Sequence, residues 1–98
     1  MGDAFPNVAK LYISDSSKRL DVLRAAAVEG DAAQVRATAH TLYGSTVSIG
    51  GRRLAVLLKD LEKVSMSGMP QDVDTRLKLI EAEYAVLADK LQAFAQVI

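Results

Sequence analysis

Apolar residues recur at alternating intervals of four and three along the last quarter of the chain, which places them on one face of an α-helix. The series is Val73, Leu77, Ile80, Tyr84, Leu87, Leu91, Phe94 and Ile98. A similar stripe upstream is Leu54, Leu57, Leu58, Leu61 and Val64. The pattern predicts a long C-terminal helix and, before it, a helix that starts after Gly50-Gly51 and stops near Gly68, with Pro70 as a breaker.

The first half of the chain has a less regular pattern that also favours helices. Its apolar positions include Val8, Leu11, Tyr12, Leu20 and Leu23. They predict a first long helix with a polar interruption at "SDSS", ending at Gly30. Asp31 can then cap the next helix while the Gln34 side chain reaches back to it. That helix runs from Ala32 to about Ile49.

Four amphipathic helices with short connections predict an all-α protein, most economically an antiparallel four-helix bundle. A short additional N-terminal cap helix at the start of the chain is an open alternative. The 98 residues, of which 50% are hydrophobic and 5% aromatic, suit one helical domain over 1–98. We interpret Met1-Gly2 as a candidate addition to a piece of a longer protein.

The charge pattern argues against several classes of partner. Twelve basic and twelve acidic residues give a net charge of zero, and neither sign forms a block. We therefore expect no nucleic-acid partner and no membrane contact by this domain. The chain has no cysteine and one histidine, which excludes disulfides and the usual zinc ligand sets. A cytoplasmic location is the expectation.

His40, the single histidine, lies on the second predicted helix. At about 100° per residue, Val35, Leu42 and Ile49 fall roughly 140° to 180° away from it and form the core side. His40 should therefore face solvent. A lone surface histidine is more often simply solvated, so exposure alone leaves its role open.

The neighbours of His40 on the outer face are Arg36, Tyr43, Gly44 and Val47. A glycine inside a helix costs about 0.5 to 1 kcal/mol relative to alanine, so Gly44 needs a reason. It leaves room for another molecule to approach the imidazole. A close contact between packed helices is the other explanation for this glycine, although the angle of Gly44 around the helix axis places it away from the core.

The segment "AHTLYGSTVSIGGRRL" resembles the motif of the histidine-containing phosphotransfer (HPt) domains of two-component phosphorelays. That motif reads Ala-His-x-Leu-Lys-Gly-Ser, followed by small or apolar residues, a glycine and a leucine helix. The preceding "AAAVEGDAAQVRATAH" and the following "LKDLEK" are similar to the family as well, so the resemblance covers nearly the whole chain.

The resemblance implies a monomeric bundle that accepts a phosphoryl group from the aspartyl phosphate of a receiver domain and passes it to another receiver. His40 takes the phosphohistidine position, Gly44 that of the glycine that gives the receiver access, and Ser45 that of the next small residue. Glu62 stands where several members have a polar residue that bonds the imidazole. The parent protein could be a membrane-bound hybrid sensor kinase.

One departure from the family concerns the charge near the phosphate. The family usually has lysine three residues after the histidine, and this chain has Tyr43. We hypothesise that Arg36, one turn before His40, partly substitutes as a phosphate contact. Ala37, Tyr43 and Val47 would form an apolar docking patch for the receiver, with Arg36, and also Arg52 and Arg53, at its rim.

The chain has neither a glycine-rich phosphate loop nor an acidic cluster for Mg²⁺, so we expect no cofactor here and Mg²⁺ on the partner receiver. Autonomous kinase activity fits poorly, because Thr41 follows the histidine where sensor kinases typically have an acid, and no ATP-binding domain fits in the chain. The alternative function is a regulatory module that binds a receiver or another enzyme with weak or no phosphotransfer. A purely structural bundle is the third possibility.

Overall fold

The computed structural model describes the backbone of residues 4–96 and the side chains of residues 7–94. The elements are α1 (Ala4–Glu29), α2 (Ala32–Ile49), α3 (Arg52–Ser65) and α4 (Val73–Gln96). The predicted all-α, four-helix architecture is confirmed. Met1, Gly2 and Ile98 lie outside the described residues. Within residues 4–96, no helix is both long and apolar enough to cross a membrane.

α1 begins at Ala4 and continues without a break, so the described residues form no separate N-terminal cap helix. Pro6 falls in its first turn, where a missing N–H costs no helical hydrogen bond. The polar stretch 14–17 does not interrupt α1 either. The Oγ of buried Ser16 lies 2.5 Å from the carbonyl oxygen of Tyr12 and 2.9 Å from the hydroxyl of Tyr84 on α4. This serine therefore joins two helices.

The turn from α1 to α2 contains only Gly30 and Asp31. Gly30 has φ +74°, in the left-handed region that favours glycine, and the Asp31 N–H donates to the Ala26 carbonyl at 2.9 Å. The Asp31 carboxylate accepts from the Gln34 backbone N–H at 3.0 Å, which confirms the predicted cap. The expected return contact from the Gln34 side chain is wrong, because its amide donates to the Thr38 hydroxyl instead, at 3.3 Å.

α3 ends at Ser65, earlier than the predicted stop at Gly68. The Met66 N–H donates to the Lys63 carbonyl at 3.2 Å, which tightens the last turn and closes the helix. Gly68, with φ +120°, then belongs to the connection of residues 66–72 rather than to the cap. The seven-residue connection returns the chain to the bundle for α4.

The helices pack in a ring in which α2 and α4 each lie between α1 and α3. The two-residue turns at 30–31 and 50–51 force α1, α2 and α3 to alternate in direction. The buried core residues shared by the four helices are Leu23, Ala26, Val35, Ala39, Leu42, Leu54, Leu58, Leu61, Leu77 and Ile80. The apolar stripes read from the sequence supply most of this core.

The C-terminal stripe fails at Phe94, whose side chain is exposed although its spacing predicts a core position. Gly51, at the start of α3, packs against Leu87, so α4 extends more than two turns beyond that contact. Among residues 7–94, the smaller cluster of Ala9, Tyr12 and Leu91 continues the core there. The spacing of apolar residues along a helix therefore predicts burial only where neighbouring helices cover that face.

Candidate functional site

His40 projects from the middle of α2 into solvent, with 67% of its side chain exposed. On the opposite side of the same helix, Val35 and Leu42 are buried and Ile49 is partly buried. The predicted outward orientation is therefore confirmed. The local cause is the spacing of apolar residues on α2, which turns the histidine away from the core.

A carboxylate from the neighbouring helix holds the imidazole. The Nδ1 atom of His40 lies 2.9 Å from Oε2 of Glu62 on α3. Only 12% of the Glu62 side chain is exposed. An ionised carboxylate can only accept a hydrogen bond, so opposite ionised Glu62 the Nδ1 atom carries the proton and Nε2 keeps its lone pair. The structure thus brings together the two residues that the resemblance paired.

A second pair lies beside the first across the same two antiparallel helices. Lys59, one turn before Glu62, places its Nζ 5.0 Å from the centroid of the Tyr43 ring. The same Nζ lies 3.7 Å from Oε1 of Glu62. Oε1 is buried and accepts no hydrogen bond from the part of the chain that the structure describes. The four side chains therefore form one cluster, in which a single carboxylate faces both the imidazole and the ammonium group.

Lys59 was not among the residues expected from the sequence, although a signal for it exists. In an antiparallel helix pair, a step forward on one helix is matched by a step backward on the other. If His40 faces Glu62, then Tyr43, three residues on, faces Lys59, three residues back. The register of one contact was enough to predict the other.

Gly44 is exposed on the same face of α2, and a Cβ built there would meet nothing within 4 Å. This observation excludes helix packing among the described residues as the reason for the glycine. Ala37 and Val47 are also exposed and continue the face in both directions, while Tyr43 is half-buried against the core. Ser45 is partly buried, and its hydroxyl donates to the Leu42 carbonyl at 3.1 Å.

The three arginines expected around the patch, Arg36, Arg52 and Arg53, are all exposed. Arg36 is exposed one turn before His40, and it forms no ion pair with any side chain that the structure describes. Arg52 and Arg53 line a groove between the start of α3 and α4, together with Glu83 and Lys90. Nothing in this arrangement tests their expected position at the rim of the docking patch, which stays a prediction.

An apolar depression between α1 and α2 adjoins the outer face. Its lining residues are Val8, Leu11, Tyr12, Asp15, Ser45, Ser48 and Ile49. Leu11 is 70% exposed and Val8 48% exposed. Periodicity alone marked both as parts of a helical stripe and did not show that they face solvent beside α2. The outer surface near Ser45 is thus more apolar than α2 alone predicts.

A buried hydrogen bond ties α1 to α2 beneath this surface. The Tyr12 hydroxyl lies 2.7 Å from the Thr46 hydroxyl. Burial raises the pKa of the Tyr12 phenol, and the hydrogen bond to Thr46 partly offsets that shift. The rings of Tyr12 and Tyr84 lie 6.5 Å apart, which links α4 to the same region. Tyr12 therefore connects α1 to α2 and to α4 beneath the outer face.

Comparisons with known proteins agree with this geometry. The family model described as the Hpt domain matches residues 7–96. The crystal structure of histidine-containing phosphotransfer protein B from Pseudomonas aeruginosa PAO1 is similar, with a TM-score of 0.95 and 31% sequence identity. The match covers 100% of this chain and 85% of that one. No curated protein matches the sequence. Both similarities span the helices that carry the His40 cluster.

Proposed function

The chain belongs to the family of Hpt domains, and from this membership we propose that it carries a phosphoryl group on His40. Histidine phosphotransfer within a phosphorelay is the function that the family and the solved relative support. The observation that carries the assignment to His40 is its geometry. An exposed imidazole presents Nε2 to solvent while a nearly buried carboxylate holds Nδ1.

The proposed reaction is the transfer of a phosphoryl group from an acyl phosphate to a nitrogen. The Nε2 lone pair forms the N–P bond as the P–O bond to the receiver's aspartate breaks, and the aspartate leaves as a carboxylate. The Nδ1 proton stays on the ring, which therefore becomes positively charged. Attack by the carboxylate of a second receiver reverses these steps and regenerates neutral His40.

Glu62 is the proposed positioning residue for this step. Its Oε2 accepts the Nδ1 hydrogen bond in the resting protein, which fixes the tautomer that leaves Nε2 free. When the ring gains positive charge, the same carboxylate lies next to it, so the interaction becomes stronger along the reaction coordinate. Little water surrounds Glu62, and its charge is therefore weakly screened.

The negative charge of the phosphoryl oxygens needs compensation that this chain supplies only in part. Among the described residues, no group of three or more His, Cys, Asp or Glu side chains could hold a metal ion. We place Mg²⁺ on the partner receiver. Arg36 is exposed one turn before His40, and we assign it a supporting contact with the phosphoryl group.

Hpt domains work with response-regulator receivers, and we propose that the receiver docks on the outer face of α2. Ala37, Tyr43, Gly44, Ser45 and Val47 would form this docking face. The empty space beside Gly44 supports close approach of a backbone or a bulky side chain. The exposed apolar side chains of the adjoining depression extend the surface that a receiver could bury.

The remaining expectations about assembly and location stay predictions. A monomer is consistent with a bundle that closes its own core. The absence of nucleic-acid binding, the cytoplasmic location and membership of a hybrid sensor kinase rest on sequence arguments alone.

Transfer from radiolabelled phosphorylated receiver domains tests the proposal. We expect acid-labile, alkali-stable label on the wild-type domain and none on His40→Gln. Tight receiver binding without label would instead support the regulatory binding module, for which the uncharged Tyr43 beside His40 is the relevant observation. Label that persists on His40→Gln would refute the assignment of the phosphorylated residue.

A further inference from the structure

We propose that Lys59 of α3 is the cation that binds the phosphoryl group on His40. The inference rests on the proposed function, because it concerns the state in which Nε2 carries the phosphoryl group. Lys59 would touch that group directly and would therefore be a catalytic residue, contributed by a different helix from the histidine.

The position of the ammonium group is the first support. Lys59 Nζ and His40 Nδ1 face the two oxygens of one carboxylate, Oε1 and Oε2 of Glu62, at 3.7 Å and 2.9 Å. The ammonium group and the imidazole are thus both held by one carboxylate, with Lys59 one helical turn before Glu62 on α3. No other lysine or arginine forms an ion pair with Glu62 in the part of the chain that the structure describes.

The second support is that Lys59 donates no hydrogen bond to any of the residues that the structure describes. At 3.7 Å the contact with Oε1 is an ion pair without a hydrogen bond, and the contact with Tyr43 is made through the face of its ring. Both interactions stabilise the positive charge of Lys59, and neither uses one of its N–H groups as a hydrogen-bond donor. The side chain is 41% exposed, so a phosphoryl oxygen arriving from solvent can reach it.

Tyr43 has a defined part in this arrangement. Its ring packs against the core, and the Lys59 ammonium lies over the ring, 5.0 Å from the centroid. It occupies the position one turn after His40 at which a cation on α2 would project toward the phosphoryl group. Tyr43 instead binds a cation delivered from α3, so the local positive charge is retained although residue 43 is neutral.

The negative charge that phosphorylation adds should attract the Lys59 ammonium group toward the phosphoryl group. A phosphoryl group adds a charge of about −1.5 to −2 and three strong acceptor oxygens to a ring that shares the Glu62 carboxylate with the ammonium. A direct hydrogen bond to one of these oxygens is stronger than the distant ion pair with Oε1. Glu62 keeps its bond to Nδ1 throughout, so Lys59 can turn to the phosphoryl group without releasing the ring.

The test uses the intact domain phosphorylated by phosphoramidate, a small donor that needs no receiver. Lys59→Met removes the charge and keeps the length of the side chain. Lys63→Met is the matched control, because Lys63 lies one turn on along α3, is exposed, and forms neither an ion pair with Glu62 nor a cation–π contact with Tyr43 within the described side chains. Circular dichroism of each variant shows whether the bundle is intact.

A nearby cation opposes proton uptake by the phosphorylated ring and its phosphoryl group. We expect Lys59→Met to raise the midpoint of the ³¹P pH titration by about half a unit or more, and to slow phosphorylation about tenfold. Lys63→Met should change neither by more than about twofold. Lys59→Arg, or Tyr43→Lys in the Lys59→Met background, should restore both values, because each returns a cation to this place.

The ¹⁵N titration of the unphosphorylated ring separates direct contact from an effect through Glu62. If Lys59 binds the phosphoryl group, the change caused by Lys59→Met is larger in the phosphorylated protein. Equal changes in both forms, or equal effects of Lys59→Met and Lys63→Met, would overturn the inference. Failure of the wild type to accept label, or label on His40→Gln, would instead refute the proposed function itself.

Discussion

The Nδ1 atom of His40 lies 2.9 Å from Oε2 of Glu62, which joins a largely exposed ring on α2 to a largely buried carboxylate on α3. The ring has to be exposed because its partner is another protein. Its orientation, however, depends on a group that water reaches poorly. Orientation and accessibility are therefore provided by different helices, and each can be altered separately.

Removing the charge of Glu62 should slow phosphorylation. Glu62→Gln keeps an acceptor for Nδ1 but loses the negative charge that stabilises the positive ring, and we expect a rate about tenfold lower. Glu62→Ala, which also loses the acceptor, should be slower still. Label incorporation from phosphoramidate, measured over time, gives these rates.

Asp60→Asn is the control for Glu62, since Asp60 is exposed on the same helix and has no ion pair among the described residues. It should react at close to the wild-type rate. A Glu62→Gln variant that also reacts at the wild-type rate would show that hydrogen bonding, without charge, is sufficient at this position.

Gly44 should matter to the receiver and not to the fold. Gly44→Ala fills open space and removes backbone freedom, so it should stabilise the protein by about 0.5 to 1 kcal/mol in urea unfolding. Gly44→Gln should accept phosphate from phosphoramidate normally, yet lose most transfer from a phosphorylated receiver. Equal transfer from both donors would contradict the proposed close approach at this face.

Gly51 provides the contrast, because the space around it is filled. A Cβ there would lie 2.7 Å from Leu87 Cδ2 and 2.9 Å from Thr46 Cγ2. We expect Gly51→Ala to lower the free energy of unfolding by about 1 to 3 kcal/mol through overpacking. Gly51→Ala should leave label incorporation from phosphoramidate intact, since the substitution lies at the far end of α3 from Glu62.

The helices and the outward direction of His40 could be predicted from the sequence because both follow from periodicity. Spacing on one helix reports which face is buried, and it did so correctly for Val35 and Leu42. The same rule failed at Phe94, since it carries no information about where neighbouring helices end. It also gave no sign that Leu11 faces solvent.

Contacts between helices were accessible only through the resemblance or the register. Glu62 was predicted from its place in the family pattern, while Lys59 follows only when the contact of His40 with Glu62 is used to set the register of α2 and α3. Arg36 and Lys59 show the difference. A helical-wheel projection of α2 identifies a cation on the same helix as His40. It contains no information about a cation that lies on the next helix.

Arg36 should therefore have a smaller effect than Lys59. It is exposed and has no ionic partner among residues 7–94, so it loses side-chain entropy on binding a phosphoryl oxygen. We expect Arg36→Ala to slow phosphorylation about two- to threefold, measured with the same small donor. An unchanged rate and phosphohistidine half-life would remove Arg36 from the site.

Alkaline pH should weaken the contact between α1 and α2 through Tyr12. Burial raises the pKa of this phenol, so the folded protein holds the proton more tightly than the unfolded chain does. The resulting stability is fully present below the unfolded pKa of about 10 and is lost as the pH rises through the folded value. We expect the free energy of unfolding, measured in urea, to decrease above about pH 10.

Tyr12→Phe tests this assignment. It leaves the buried Thr46 hydroxyl without its partner, so the free energy of unfolding at neutral pH should fall by about 1 to 3 kcal/mol. The variant has no phenol at this position, and its stability should therefore decrease less steeply above pH 10 than that of the wild type. Tyr43→Phe, at a tyrosine whose hydroxyl has no hydrogen bond within the described side chains, should keep the wild-type slope. Parallel curves for wild type and Tyr12→Phe would assign the alkaline loss of stability to another group.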